Sequence, residues 1–313
     1  MTRRVTSYLG LLCIAVLIYI VIVNVPINGN YFHIFTTNNS DSVLVTSDRF
    51  RNARPKIEHS GYDGDMMLKD EDFDAMDPQN QIRMATYNIH SAINPDGVVD
   101  IDAVIEEIRQ MDVDVIGLQE VDKFIYRSGF DNQAKTIADR LGMNYVYGET
   151  INILGIKFGN ALLTKHRIID WSNIRVPGFR EPRGLLRCKL DINGVHYNVF
   201  VTHLGLSYGE RVMQIQALNE HMYTYDTRIV LMGDFNAQSF YPEMELLDIR
   251  MKDTAIVFNK EYINTFPYRG QQGSEADVRT DYIFVTDDIQ VVDYNVVPTR
   301  TSDHHKVMVV IHE

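Results

Sequence analysis

With 313 residues, 45% of them hydrophobic and 23% charged, the chain is long and apolar enough to bury one large core with segments to spare. A formal net charge of -12 excludes a broad basic surface for nonspecific nucleic-acid binding and leaves only a local basic cleft open. The two cysteines, Cys13 and Cys188, make no disulfide framework, because Cys13 lies in an apolar run.

That run, Tyr8–Val25, carries no charge, and Asn24 is its only strongly polar side chain. It nearly reaches the ~20 residues that cross a hydrocarbon core of about 30 Å. Arg3 and Arg4 before it favour an amino terminus inside, which puts everything after Val25 outside. The expectation is an uncleaved signal anchor over residues 1–25 in a single-pass cell-membrane protein with an extracytoplasmic domain. A cleaved signal peptide, the competing reading, would have an apolar region of roughly 7–15 residues and a small-x-small site. Asn24-Val25-Pro26-Ile27-Asn28 offers no such site. Residues 26–80 show no sustained period and read as a solvated linker or stalk. Its acidic run, Asp63–Asp77, lacks the Gly-then-Glu spacing of a calcium loop.

A globular domain is expected over residues 81–313. Gln81–Ile89 alternates as a strand and ends at Asn88; Ile101, Val104, Ile105 and Ile108 follow at helical spacing behind a capping Asp100. Val113–Leu118 reads as a strand buried on both faces that stops at Gln119-Glu120, where a carboxylate needs a metal or an arginine beside it. A second helix runs from about Gln133 to Leu141, stopped by Gly142. Short strands follow near Tyr145–Tyr147, Ala161–Thr164 and Ile168–Ile174, with Gly159-Asn160 opening the middle one. Leu185–Ile192 and Val195–Leu204 form a hairpin across Asn193-Gly194, and its second strand ends at His203. Ser207 and Glu210 make a capping box for a third helix carrying Val212, Ile215, Leu218 and Met222 inward. Arg228–Met232 is a buried strand running into Gly233-Asp234-Phe235-Asn236, where period two points Asp234 and Asn236 the same way. Asp277–Val285 carries Asp281 inside an apolar strand, a charge for which a histidine is a natural partner. Ile289–Val297 follows, and Thr301-Ser302-Asp303-His304-His305 then leads into a last strand, Val307–Ile311.

Asn88, Glu120, His203, Asp234, Asn236, Asp281, Asp303 and His304 therefore gather on or at the ends of strands. Oxygen-rich donors with few nitrogens and no usable thiol suit magnesium or manganese rather than zinc. A hard cation with a carboxylate–histidine pair and amide or imidazole donors suits phosphoester hydrolysis.

These residues carry a resemblance. Thr86-Tyr87-Asn88, Leu118-Gln119-Glu120-Val121, Gly159-Asn160, Thr202-His203-Leu204, Gly233-Asp234-Phe235-Asn236, Arg279-Thr280-Asp281-Tyr282 and Ser302-Asp303-His304 stand in the order found in the endonuclease/exonuclease/phosphatase superfamily. The chain resembles that superfamily over about residues 81–313. The resemblance implies an α/β fold, a four-layer sandwich of two packed mixed sheets flanked by helices, and a magnesium-dependent site. It implies that Glu120, helped by Asn88, holds the metal with Asp303 at or near it. Asp234 would orient or deprotonate the attacking water, with Asn236 contacting phosphate. His203 would stabilise the phosphorus oxygens, and His304, paired with Asp281, would contact phosphate or act as acid/base. Asn160 would be a substrate-side donor. Arg183 is a further phosphate-binding candidate because its guanidinium forks, and Arg187 alternates onto the same face. His90 departs from the pattern, standing where the nuclease branch often has an acid. The expected activity is metal-dependent hydrolysis of a lipid headgroup or another phosphoester near the membrane. A surface nuclease and a catalytically silent binding module are the alternatives.

Overall fold

The computed structural model describes residues 66–67, 81–226, 228–268 and 275–312. The apolar run Tyr8–Val25 and all of the expected stalk except Met66–Met67 lie outside the described residues. Among those described, no helix is long and apolar enough to cross a membrane.

The strands in chain order are β1 (Met66–Met67), β2 (Gln81–Asn88), β3 (Val115–Lys123), β4 (Asn144–Ile153), β5 (Ile156–Thr164), β6 (Arg167–Val176), β7 (Arg183–Ile192), β8 (Val195–His203), β9 (Ile229–Asp234), β10 (Met251–Asp253), β11 (Asp281–Thr286), β12 (Gln290–Val297) and β13 (Lys306–His312). The main helices are α1 (Ile101–Met111), α2 (Gln133–Leu141) and α3 (Tyr208–Met222). Strands assemble into one sheet in the order β1-β4-β5-β3-β2-β13-β12 and a second in the order β10-β11-β9-β8-β7-β6.

Period two along the strands divides the core. One set of side chains, including Met84, Val115, Val146 and Leu162 from the first sheet and Val199, Val201, Val230 and Met232 from the second, fills the space between the sheets. The alternate set of the first sheet packs beneath α1 and α2 through Ile105, Ile108 and Ile137. On the outer face of the second sheet, Phe200, Leu231 and Phe284 pack beneath Ile215, Leu218 and Met222 of α3. Four layers result, as expected.

Both sheets are mixed, and their parallel pairs decide where the chemistry goes. β2 runs parallel to β3 across α1, and β8 runs parallel to β9 across α3. These two crossovers bring four strands to one edge of the sandwich, where Asn88, His203 and Asp234 end β2, β8 and β9 and Glu120 lies three residues before the end of β3. The antiparallel β11 and β13 start from that edge, so Asp281 opens β11 and His304 stands just before β13. Gly233 allows the closest approach there. Opposite Thr202 in the β8–β9 register at φ 149°, it has no room for a Cβ, which would lie 1.9 Å from the Thr202 carbonyl oxygen.

Several local expectations are corrected. β3 does not stop at Gln119-Glu120 but continues to Lys123 through a bulge, with Glu120 at φ 57° and the register against β5 shifted between Leu118 and Val121. β11 begins at Asp281 rather than at Asp277, because Val278 pairs with Phe266 of the preceding loop instead. Ser207 and Glu210 do not close a capping box. Ser207 donates to Glu210, whose other oxygen reaches across to the Phe179 and Arg180 backbone N–H groups, and Val212 is only half-buried. Within the expected stalk, Met66–Met67 pairs with Tyr145 and Val146 as an edge strand. The β4–β5 hairpin turns at Leu154 and Gly155, both at positive φ, where short separate strands were expected. The Asn193-Gly194 turn stands as expected, with φ of 52° and 85°.

Candidate active site

The bulge at Glu120 frees its side chain from the strand alternation and leaves it half-buried at the sandwich edge. Asn88 joins it to the second sheet: the Asn88 amide donates to Glu120 Oε1 at 3.0 Å and to Asp234 Oδ2 at 3.1 Å, while its Oδ1 accepts the His90 N–H. Asn88 thus acts here as a donor that ties two carboxylates together. Asp303 lies on the next loop, 3.6 Å from His90 Nδ1 and partly exposed.

Asp234 is buried at the centre. Its Oδ1 accepts the Asn236 N–H, and its Oδ2 lies 3.4 Å from His203 Nε2 and 3.7 Å from His304 Nε2. Burial pushes the Asp234 carboxyl up to about 7; the His304 charge pulls it down and Asp281 pushes it further up. On the far side, His304 Nδ1 sits 2.9 Å from Asp281 Oδ2, and the ring stacks on Phe266 with centroids 4.4 Å apart. Burial alone would lower the His304 imidazole, but the Asp281 and Asp234 carboxylates outweigh it and hold the ring well above its usual range. His304 is therefore a buried cation between two acids.

His203 is shifted the other way. Burial, reinforced by the positive charges of Arg183 and His304, keeps it well below the usual imidazole range and neutral. Arg183 Nη1 donates to His203 Nδ1 at 2.9 Å, which leaves the single ring proton on Nε2, facing Asp234. Asn236, at φ 49°, touches the same Nε2 at 3.1 Å and donates to the Leu204 carbonyl. Two histidines one carboxylate apart thus hold opposite charge states, an arrangement of separated acid and base roles.

Of the other expected residues, Asn160 is buried and its amide donates to the carbonyl of Gly184, next to Arg183. Arg183 opens β7, and its Nε is buried without a partner in the protein. Arg187 is not brought to the cluster. It lies one strand turn further along β7, where it pairs with Asp170, donates to Asn198 and stacks on Tyr225, so sharing a face with Arg183 did not mean sharing a site.

The residues that hold this loop in place were not visible in the sequence. Glu107 of α1 accepts from Thr299 Oγ1, Thr301 Oγ1, the Arg300 N–H and Lys306 Nζ at 2.6 Å, and Tyr87 hydrogen-bonds both threonines. Thr265 and Thr280 donate to Asp281, while Ser302 donates to the Asn88 carbonyl. Tyr87, Thr280, Thr301 and Ser302 were marked only by standing in the same short stretches as Asn88, Asp281 and His304. Glu107→Gln would leave the buried Lys306 cation without its counter-charge. A loss of about 2–3 kcal/mol, less than a fully buried broken pair costs because Glu107 is partly exposed, should appear in urea unfolding.

Asp234, Asp281 and His304 offer ligand atoms within 4.8 Å of one another and could hold a cation. The Asp281 oxygens, however, already accept from His304 and two threonines, so this pair reads as a proton-holding couple. Glu120 and Asp303, both partly exposed, keep carboxylate surface open to solvent and suit a hard cation better.

Residues 85–304 match the Endonuclease/Exonuclease/phosphatase family. None of the curated proteins compared is similar enough to count as a match. Solved structures share the fold at low identity. An endonuclease/exonuclease/phosphatase from Beutenbergia cavernae aligns at 23% identity and a TM-score of 0.55, covering 74% of this chain and 72% of its own. A mannosyl-6-phosphatase from Bacteroides thetaiotaomicron aligns at 18% identity and a TM-score of 0.58, over 74% of this chain and 99% of its own. The catalytic domain of human Nocturnin aligns at 18% identity and a TM-score of 0.56, over 75% and 96%. With the family match spanning well over half of its length and the strand-end cluster lying inside it, the chain belongs to the Endonuclease/Exonuclease/phosphatase family.

Proposed function

We propose that the chain is a divalent-metal-dependent phosphoester hydrolase, held at the outer face of the cell membrane by residues 1–25. The observation that supports this reading best is the unbroken series from Glu120 through Asn88 and Asp234 to His304 and Asp281, with neutral His203 beside it. Glu120, with Asn88 and Asp303 close by, would hold magnesium or manganese, which when bound neutralises phosphate oxygens and makes phosphorus easier to attack. Asp234 has a carboxyl poised near neutrality and takes the proton of an attacking water. His203 turns its Nε2–H toward the same centre, where it stabilises charge building on the phosphorus oxygens, and Asn236 lies against that nitrogen. Arg183 adds its positive charge behind His203. His304, kept charged by Asp281, stabilises the transferred group and can return a proton to the leaving oxygen.

A nuclease is the second reading, because the family's description names endonucleases and exonucleases beside phosphatases. The chain's net charge of -12 weighs against it. The discriminating experiment incubates supercoiled plasmid and a small aryl phosphodiester with the purified chain, in magnesium and in EDTA. Cleavage of the small diester with intact plasmid is expected; magnesium-dependent nicking at comparable protein would move the nuclease reading to first place.

A further inference from the structure

The sequence marks Arg183 as a candidate phosphate binder, yet the structure commits its guanidinium elsewhere. The side chain is 7% exposed, and its Nη1 lies 2.9 Å from His203 Nδ1 and 2.8 Å from Glu181 Oε1. A guanidinium carries only N–H groups and stays charged in proteins, so it meets a ring nitrogen as a donor and nothing else. The lone pair that receives it must sit on His203 Nδ1.

The other ring nitrogen faces a competing donor. Asn236 Nδ2 lies 3.1 Å from His203 Nε2, and its bond to the Leu204 carbonyl fixes which way the amide points. A neutral imidazole has one lone pair and one proton, so it cannot accept at both nitrogens. Asn236 alone would favour a bare Nε2 and a proton on Nδ1; Arg183 favours the reverse. Asp234 Oδ2, at 3.4 Å from Nε2, is beyond good hydrogen-bond length and does not decide the matter. A charged donor bonds roughly twice as strongly as a neutral one, so Arg183 prevails.

Arg183 is itself held in register. The β7–β8 pairing, with Leu185 opposite Thr202, brings it to the same end as His203. The first turns of α3 then clamp the loops on either side. Glu210 accepts the Phe179 and Arg180 N–H groups at 2.8 and 3.0 Å, ahead of Arg183. Gln214 donates to the Pro177 carbonyl and accepts the Gly205 N–H, just beyond His203. Glu210 and Gln214 are both buried, so neither clamp is a surface contact.

We infer that Arg183 is a positioning residue that holds the ring proton of His203 on Nε2 and acts on phosphate only through that imidazole. Its part in turnover rests on the phosphoesterase reading above; the place of the proton rests on the geometry alone. With Nε2–H turned to the centre, His203 offers a donor to charge building on a phosphorus oxygen. With the proton on Nδ1 it would offer a lone pair, which repels that charge.

The test uses the full chain in detergent with its ten histidines labelled with ¹⁵N, the His203 ring being assigned by its loss in His203→Gln. Bare and protonated ring nitrogens have well-separated ¹⁵N shifts. In the unmodified chain at pH 7, Nδ1 should read as bare and Nε2 as protonated. Arg183→Met alone would leave the Glu181 carboxylate against the ring and draw in a second proton, so the ion pair is neutralised as a whole. In Glu181→Gln/Arg183→Met the proton should move to Nδ1. Turnover of an aryl phosphodiester in magnesium should then lose about 10²-fold in kcat with KM within about twofold. Arg183→Lys keeps a cationic donor, and because one N–H rather than a fork is used, it should keep Nδ1 bare and lose less than about tenfold in kcat. A protonated Nδ1 in the unmodified chain overturns the assignment, and so does a bare Nδ1 in the double variant. A KM raised about tenfold or more with kcat kept assigns Arg183 to direct phosphate contact and overturns it too. Absence of turnover by the unmodified chain in magnesium sinks the phosphoesterase reading, and the ring spectrum still decides where the proton sits.

Discussion

His304→Ala is expected to lower kcat by roughly 10³- to 10⁴-fold with the fold intact, the upper part of what general acid–base groups contribute. The imidazole lies within 3.7 Å of Asp234 and 2.9 Å of Asp281, so its loss removes both a proton donor and a cation between two buried acids. Asp281 would keep its hydrogen bonds from Thr265 and Thr280, which limits the structural damage. Asp281→Asn should produce a smaller but still large loss, on the order of 10²-fold or more, because the imidazolium then lacks its counter-charge. Steady-state kinetics of both variants, with circular dichroism melts alongside, check the pair. A folded His304→Ala protein retaining a tenth of wild-type kcat would remove His304 from the catalytic group.

Asp234→Asn is the second large effect, again about 10³-fold. Burial holds this carboxyl near 7, so wild-type kcat/KM should climb with pH through that region as the base is uncovered, and the rise should vanish in the variant. The stability sign is opposite. The folded state binds this proton more tightly than an unfolded Asp at its usual value near 3.8, so from there to about 7 the wild type loses stability as pH rises. Asparagine, isosteric and neutral, escapes that loss. At pH 8 the variant should therefore melt at or above the wild-type temperature while being nearly inactive. A lower melting temperature would show that Asp234 serves the fold more than the reaction.

Much of this architecture was legible because strand and helix periods are local. β2, β8, β9, α1 and α2 fall within a few residues of their expected bounds, and the Asn193-Gly194 turn encodes its own conformation. The polar ends of those strands pointed to the cluster, since a buried strand that runs into Asp234 or His203 needs a reason. What the sequence hid was nonlocal. The bulge at Glu120 exists because β3 must re-register against β5, information that resides in Ala161 and Gly159 rather than beside Glu120. Arg183 and Arg187 share a face and charge, and only the partners Asp170 and His203, distant in sequence, separate their roles. Glu107 carries no local mark of its role, since its four donors come from residues 299–306, nearly two hundred positions away.

The central claim is that this cluster attacks phosphorus with the aid of a divalent cation. Hydrolysis of an aryl phosphodiester by the full chain in ¹⁸O-labelled water tests it most directly. Incorporation of ¹⁸O into the phosphoryl product in magnesium is expected, with none after EDTA treatment and none with His304→Ala. Turnover that persists in EDTA, label found in the alcohol, or equal incorporation by His304→Ala would contradict it.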